Sequence, residues 1–187
     1  MIIVSNILNI KTGISNNTIV LSLIIQSFLL SNGLLFSKVK IQELIPKINV
    51  LLFIKTLGVY VITMVVTISV FAILILGLNM EPDTYLVQQK LQNIGPIVFL
   101  LAVIIAPICE EIFFRATLVP KFGIIISACI FALVHISYGS VFEIIAALIF
   151  GLSLGYVYKK WGLNHSILLH MLINLVSVTM MFLVEYI

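Results

Sequence analysis

Two adjacent carboxylates, Glu110 and Glu111, stand in the run Ala106-Pro107-Ile108-Cys109-Glu110-Glu111-Ile112-Phe113-Phe114-Arg115, with apolar residues on both sides. Arg115 follows Glu111 by one helical turn, so these two can pair directly. Glu110 points about 100° away on the same helix and is left for other work. His135 follows Phe131 by one turn, and Asn174 follows His170 in the same way, so each pair shares a helix face. A glutamate and a histidine in one site can hold and deprotonate a water. A second histidine with an asparagine amide can donate hydrogen bonds to a developing oxyanion. Those parts suffice for amide hydrolysis by a water nucleophile. Ser137 and Ser140 follow His135, but no acid completes a triad. Glu110, His135 and His170 could instead offer three ligands to a divalent metal such as zinc, with a fourth position open. No HExxH lies on one helix. The residue pattern leaves bound metal and direct glutamate catalysis both open.

The elements that must position these groups are apolar throughout. Of 187 residues, 62% are hydrophobic and 9% charged, against about 45–50% and about 25% in a soluble domain. A soluble enzyme, a disordered chain and a disulfide scaffold are excluded. The mean hydropathy of +1.28 points to an all-α, polytopic transmembrane helical bundle. Six apolar stretches are long enough, or nearly so, to span. They run from about Asn17 to Phe36, Leu57 to Leu78, Ile94 to Val119, Phe122 to Ile136, Val141 to Tyr158, and Ser166 to Tyr186. The fourth is short for a span. Between the first two, Lys38, Lys40, Lys47 and Lys55 alternate with apolar residues around Pro46. This fits an interfacial amphipathic helix or a solvated connector. Residues 1–93 thus read as an unassigned N-terminal membrane segment, and 94–187 as the part that carries the chemistry. Cys109 and Cys129 have no CxxC partner and read as buried small hydrophobes.

Charge sets an expected orientation. The net charge of +3 is too small and scattered for nucleic-acid binding. Lys38, Lys40, Lys47, Lys55, Arg115, Lys121, Lys159 and Lys160 fall on one side of a six-span arrangement, and Lys11 and Lys90 on the other. The positive-inside bias then places both termini outside a cell membrane, with Glu81 and Asp83 in an outer loop. Glu143 is expected at the outer boundary and His165 at the inner interface.

Depth ties the polar residues together. A charged group at a bilayer centre costs roughly 2.5–3.5 kcal/mol, so Glu110, Glu111 and Arg115 unpaired would cost on the order of 8–10 kcal/mol. Such a cost implies pairing and function; the rival reading is a loop at the membrane surface. Pro120, Lys121 and Gly123 mark a turn. The glutamates lie about a dozen residues before it and His135 about a dozen after, so a helical hairpin returns them to one level, about 18 Å from the turn. His170 and Asn174 follow Lys160 closely enough to lie inside the membrane too. Gly151-x-x-x-Gly155 reads as a close-packing motif.

In order along the chain, Glu110-Glu111-x-x-x-Arg115, Phe131-x-x-x-His135 and His170-x-x-x-Asn174 resemble the three motifs of the CAAX protease and bacteriocin-processing (CPBP) family. That family includes type II CAAX prenyl endopeptidases and bacterial lysostaphin-resistance and bacteriocin self-immunity proteins. The resemblance covers roughly residues 94–187. It implies an all-helical intramembrane protease, widely labelled a metalloprotease, with a site opening toward the cytoplasm; the chain is expected in a prokaryotic cell membrane. Its substrate would be a peptide or protein cut near the membrane. By motif position, Glu110 would activate water, His135 would help hold it, and His170 and Asn174 would form the oxyanion hole. Glu111, Arg115 and Phe131 would support them. The family often has glycine after the motif arginine, and here Ala116 stands there. A non-catalytic immunity or partner-binding protein of the same fold is the alternative. A proton-coupled carrier would need paired halves or repeats, and none is seen.

Overall fold

The structure, a computed structural model, describes residues 16–37, 39, 49–87 and 96–184. Every regular element among them is helical. Helix α1 is Asn16–Phe36 and α2 is Val50–Ala72, extended by one wide π turn, Ile73–Gly77. The third arm, α3, covers 96–118, with π turns at Leu101–Ile105 and Ile112–Leu118 on either side of Ala106–Glu111. Helix α4 is Val119–Val134, α5 is Val141–Trp161 and α6 is Leu163–Val184.

Local chemistry explains the ends. The Asn49 side chain accepts hydrogen bonds from the Leu51 and Leu52 amides at 3.0 and 3.3 Å and starts α2. Ser140 does the same for α5 through the Glu143 amide at 3.0 Å. Gly123, at φ +83°, breaks α4 near its start, so the chain turns there and 124–134 forms the returning leg. A β-carbon resists that backbone geometry, which is why glycine sits at the turn.

Among the described residues, four helical runs are long and apolar enough to cross a membrane: Val50–Gly77, Val98–Tyr138, Val141–Trp161 and Leu163–Met180. Val20–Phe36 is a shorter apolar helix. The second run contains the Gly123 break, so the six apolar stretches are present as six helical legs. Beyond the break, 124–134 provides only about 16 Å of helix at ~1.5 Å per residue, well under a hydrocarbon core of about 30 Å.

Burial is inverted as lipid demands. On α2, Ile62, Ile68 and Leu76 face outward, whereas Thr56, Thr63 and Thr67 are buried. Thr63 Oγ1 lies 2.9 Å from Ser153 Oγ on α5. The close-packing motif behaves as read. A β-carbon on Gly151 would lie 3.1 Å from Ala128 Cα, and one on Gly155 would lie 2.6 Å from Ile124 Cγ2. The expectation for the cysteines holds for Cys109, which is buried, and fails for Cys129, which is exposed. Helix α4 is apolar all round, and its packed side is Ser127, Ala128, Phe131 and Ala132. Cys129 lies on the opposite side. Most of the proposed amphipathic segment, both chain termini, and Lys11, Lys38, Lys40, Lys47 and Lys90 fall outside the described residues.

Two ends of the bundle are distinguishable. At one end Lys121 Nζ stands 4.9 Å above the Phe36 ring, joining the end of α1 to the α3–α4 turn. At the other end Asp83 caps α5. It accepts hydrogen bonds from Ser140 Oγ at 2.7 Å and from the Val141 and Phe142 amides at 2.6 and 3.3 Å. Loops that alternate in sequence thus meet pairwise at opposite ends, as the expected span order requires.

Candidate active site

Two parallel helices fix the first part of the site. Gln26 on α1 donates from Nε2 to Glu110 Oε1 at 3.2 Å. Two turns further on, Thr117 Oγ1 lies 3.2 Å from the Gly33 carbonyl oxygen. Both pairs have the same sequence offset, so α1 and the Glu110–Thr117 stretch run side by side in register. Gly33 permits the approach: a β-carbon there would lie 2.8 Å from Ile112 Cγ2 and 3.2 Å from the Phe113 nitrogen.

The adjacent carboxylates have separate fates. Glu111 and Arg115 are both fully buried. Arg115 Nε stands 3.2 Å from Glu111 Oε2, a charge contact without an aligned hydrogen bond. The guanidinium carbon also lies 4.7 Å from the Phe131 ring centre and 5.8 Å from that of Phe114. Glu111 further accepts hydrogen bonds from Ser166 Oγ and from His170 Nδ1, the latter at 3.0 Å. Glu110, by contrast, keeps 18% of its side chain exposed, with Oε2 3.8 Å from His170 Nε2. The pairing read at i,i+4 is therefore present, and it leaves the other glutamate partly open.

The histidines are oriented by what their second nitrogens touch. His135 Nδ1 lies 2.8 Å from the Phe131 carbonyl oxygen. That oxygen can only accept, so Nδ1 carries hydrogen, and the neutral ring presents a lone pair on Nε2. Phe131 separates the rings, with its centroid 4.7 Å from His135 and 5.7 Å from His170. Tyr138 stacks on His135 at 5.8 Å and is within electrostatic reach of Glu110. Asn174 donates from Nδ2 to the Ala102 carbonyl oxygen at 2.9 Å, inside the first π turn of α3, and keeps one N–H uncommitted by that bond. Glu143, expected at the outer boundary, is half-buried and interacts electrostatically with His135. His165 is half-buried at the start of α6, its Nδ1 3.0 Å from the Trp161 carbonyl oxygen.

Two contributors escaped the sequence reading. Ser166 had a legible signal: it continues the His170–Asn174 stripe one turn earlier. Gln26 had almost none, being one of several polar residues on α1 beside Ser22, Ser27, Ser31 and Asn32.

The candidate metal ligands do not fit a metal in this arrangement. Among the described residues, no three His, Cys, Asp or Glu side chains are grouped so as to hold an ion, and Glu110, His135 and His170 are no exception.

Ile112, Ala116, Leu163 and Ile167 form a packed cluster on the Lys121 side of the site. Its partly exposed groups, Glu110, His135 and Asn174, lie beyond that cluster, toward the Asp83–Ser140 end. Helix register gives the same depth. Ser166 Oγ lies 3.0 Å from the Leu154 carbonyl oxygen on α5, so His170, one turn on, is level with the middle of that helix.

Residues 92–176 match the family model described as type II CAAX prenyl endopeptidase Rce1-like. The recognition made from the three motifs holds over this segment. That description is of an endopeptidase family, to which this segment is similar. All three motifs lie within it, and Gln26 lies outside. An uncharacterized protein of Mycoplasma capricolum subsp. capricolum is 32% identical over 117 residues, covering 56% of this chain and 35% of that protein. The match thus spans about a third of the relative's length. No solved structure matches the chain.

Proposed function

We propose that this chain is an intramembrane endopeptidase in which Glu110 activates a water. The observation that carries the reading is the division of labour between neighbours. Glu111 is fully buried and held by Arg115, Ser166 and His170, while Glu110 is partly exposed beside His170. Glu110 takes a proton from the water, and the oxygen adds to the scissile carbonyl carbon. The Nε2 lone pair of His135 helps hold that water. His170 and the remaining N–H of Asn174 serve the tetrahedral oxyanion. Because Nδ1–H of His170 is engaged by Glu111, the ring can donate from Nε2 only when both nitrogens are protonated. Glu110 then returns its proton to the leaving nitrogen, and the C–N bond breaks.

The substrate is a membrane-associated peptide or protein cut close to the bilayer, of prenylated CAAX-like or bacteriocin type. We take the Asp83–Ser140 end, beyond the packed cluster, as the open end of the site, and two expectations about orientation then conflict. Positive-inside counting puts the Lys121–Lys159–Lys160 end in the cytoplasm, whereas the open end lies opposite. We take the charge count as decisive, so the termini are outside and the site is reached from the outer half of the membrane.

The test compares membrane-protein C-termini and short membrane peptides in cells carrying wild-type or Glu110→Ala protein. Uncut substrates accumulate in the variant, at unchanged protein level. Wild-type-like cleavage by Glu110→Ala would sink the proposal. Protection against a bacteriocin that survives both Glu110→Ala and His135→Ala would favour the non-catalytic immunity protein instead.

A further inference from the structure

We infer that Gln26, from the N-terminal helix outside the Rce1-like segment, is a positioning residue for Glu110. The inference rests on the proteolytic reading above and extends its machinery to a part of the chain that the motifs do not reach.

Helix α1 exposes most of its large side chains: Ile24, Ile25 and Phe28 are 59%, 47% and 61% exposed. Gln26 is 9% exposed among them. Its primary amide is therefore turned away from lipid and into the protein, where a polar group needs a partner. Nε2 has one, Glu110 Oε1 at 3.2 Å. Oε1 is buried and accepts no hydrogen bond from any described group. The amide cannot be reversed without placing its oxygen against the carboxylate. The placement is also not accidental to α1, because the Gly33–Thr117 contact locks the same register two turns away.

The consequence for Glu110 is geometric. With Oε1 held by Gln26, Oε2 is the oxygen presented toward His170 and free to receive a water proton. The Gln26 amide donor thus fixes which carboxylate oxygen of the base is left for the water. Gln26 acts through Glu110 and does not itself take or give a proton.

Two measurements test this, using the full chain. Gln26→Met keeps length and apolar packing but removes both amide functions. In cleavage assays kcat should fall about tenfold to a hundredfold, with KM within about twofold and an unchanged thermal midpoint. Gln26→Glu, which sets a second carboxylate against the first, should be no better. A fall confined to KM, or a kcat within about twofold of wild type, overturns the inference.

The second measurement needs no turnover. Dicyclohexylcarbodiimide modifies carboxyl groups in apolar surroundings, and its adduct on Glu110 can be followed by mass spectrometry in membranes, with Glu110→Gln as the blank. Releasing the carboxylate in Gln26→Met should change the labelling rate of Glu110 several-fold, while Ser27→Ala, one residue away, should not. Equal rates in wild type and Gln26→Met overturn the positioning role. Changed labelling in a protein that cleaves nothing would uphold the Gln26–Glu110 coupling and reject the proteolytic reading, so the two failures are distinct.

Discussion

At the scale of single residues, the bundle solves the problem of charge in an apolar solvent by pairing one carboxylate completely and its neighbour only partly. Arg115 lies against Glu111 on one side and the Phe131 and Phe114 rings on the other, with no exposed surface. Removing one partner of such a pair strands the other. Arg115→Met is expected to destabilise by about 3–5 kcal/mol, read as a loss of thermal midpoint in detergent. The double variant Arg115→Met/Glu111→Gln should recover part of that loss, because no uncompensated charge remains. The Glu111–Arg115 pair and the His–Asn pair were legible from spacing, since i,i+4 neighbours on a helix face one way whatever surrounds them. The Ser166 contact to Glu111 was legible in principle for the same reason. The Gln26 contact was not, because it depends on which side of α1 meets α3, and the several polar residues of α1 do not mark that side.

At the scale of elements, close approach and capping set the site's shape. Gly151 faces the backbone of Ala128, whereas Gly155 faces the tip of the Ile124 side chain. A backbone cannot yield as a side-chain methyl can. Gly151→Ala should therefore cost more stability than Gly155→Ala, with overpacking losses of about 1–3 kcal/mol, even though the Gly155 contact is the shorter of the two. Thermal unfolding of the two variants side by side checks the order. The second element-level device is Asp83, which reaches across from another loop to cap α5. Burial alone would raise its pKa. The hydrogen bonds from Ser140, Val141 and Phe142 outweigh that and hold the carboxyl below its ordinary value. A depressed folded-state pKa means the contribution is fully present above the ordinary carboxylate range and is lost as pH falls through the lower, folded value. The thermal midpoint should thus drop on acidification below about pH 4. Asp83→Ala should lower it by about 2–4 °C at neutral pH, as the loss of a helix cap does, and should flatten the acid dependence. An acid profile identical to wild type in Asp83→Ala would count against the cap.

At the scale of the whole molecule, the question is which membrane face the open end of the site meets. Single cysteines at Ser137 and at Lys159, in a background lacking Cys109 and Cys129, answer it. With the termini outside, an impermeant thiol reagent added to intact cells labels the cysteine at position 137 and spares the one at 159. The reverse pattern would place the open end in the cytoplasm and overturn the charge-count orientation. Composition and periodicity determined by themselves that the chain is an all-helical membrane protein, and the three spaced motifs marked where its polar residues lie. Those properties are local: apolar runs, turns of helix and breaks at glycine follow from neighbours in sequence. Tertiary structure decided which glutamate is sealed and which is partly exposed, and that α1 lends a glutamine to the second. In a lipid-facing chain almost every helix surface is apolar, so hydrophobic pattern does not tell the packed side from the lipid side. Only the close contacts permitted by Gly33, Gly151 and Gly155 select it.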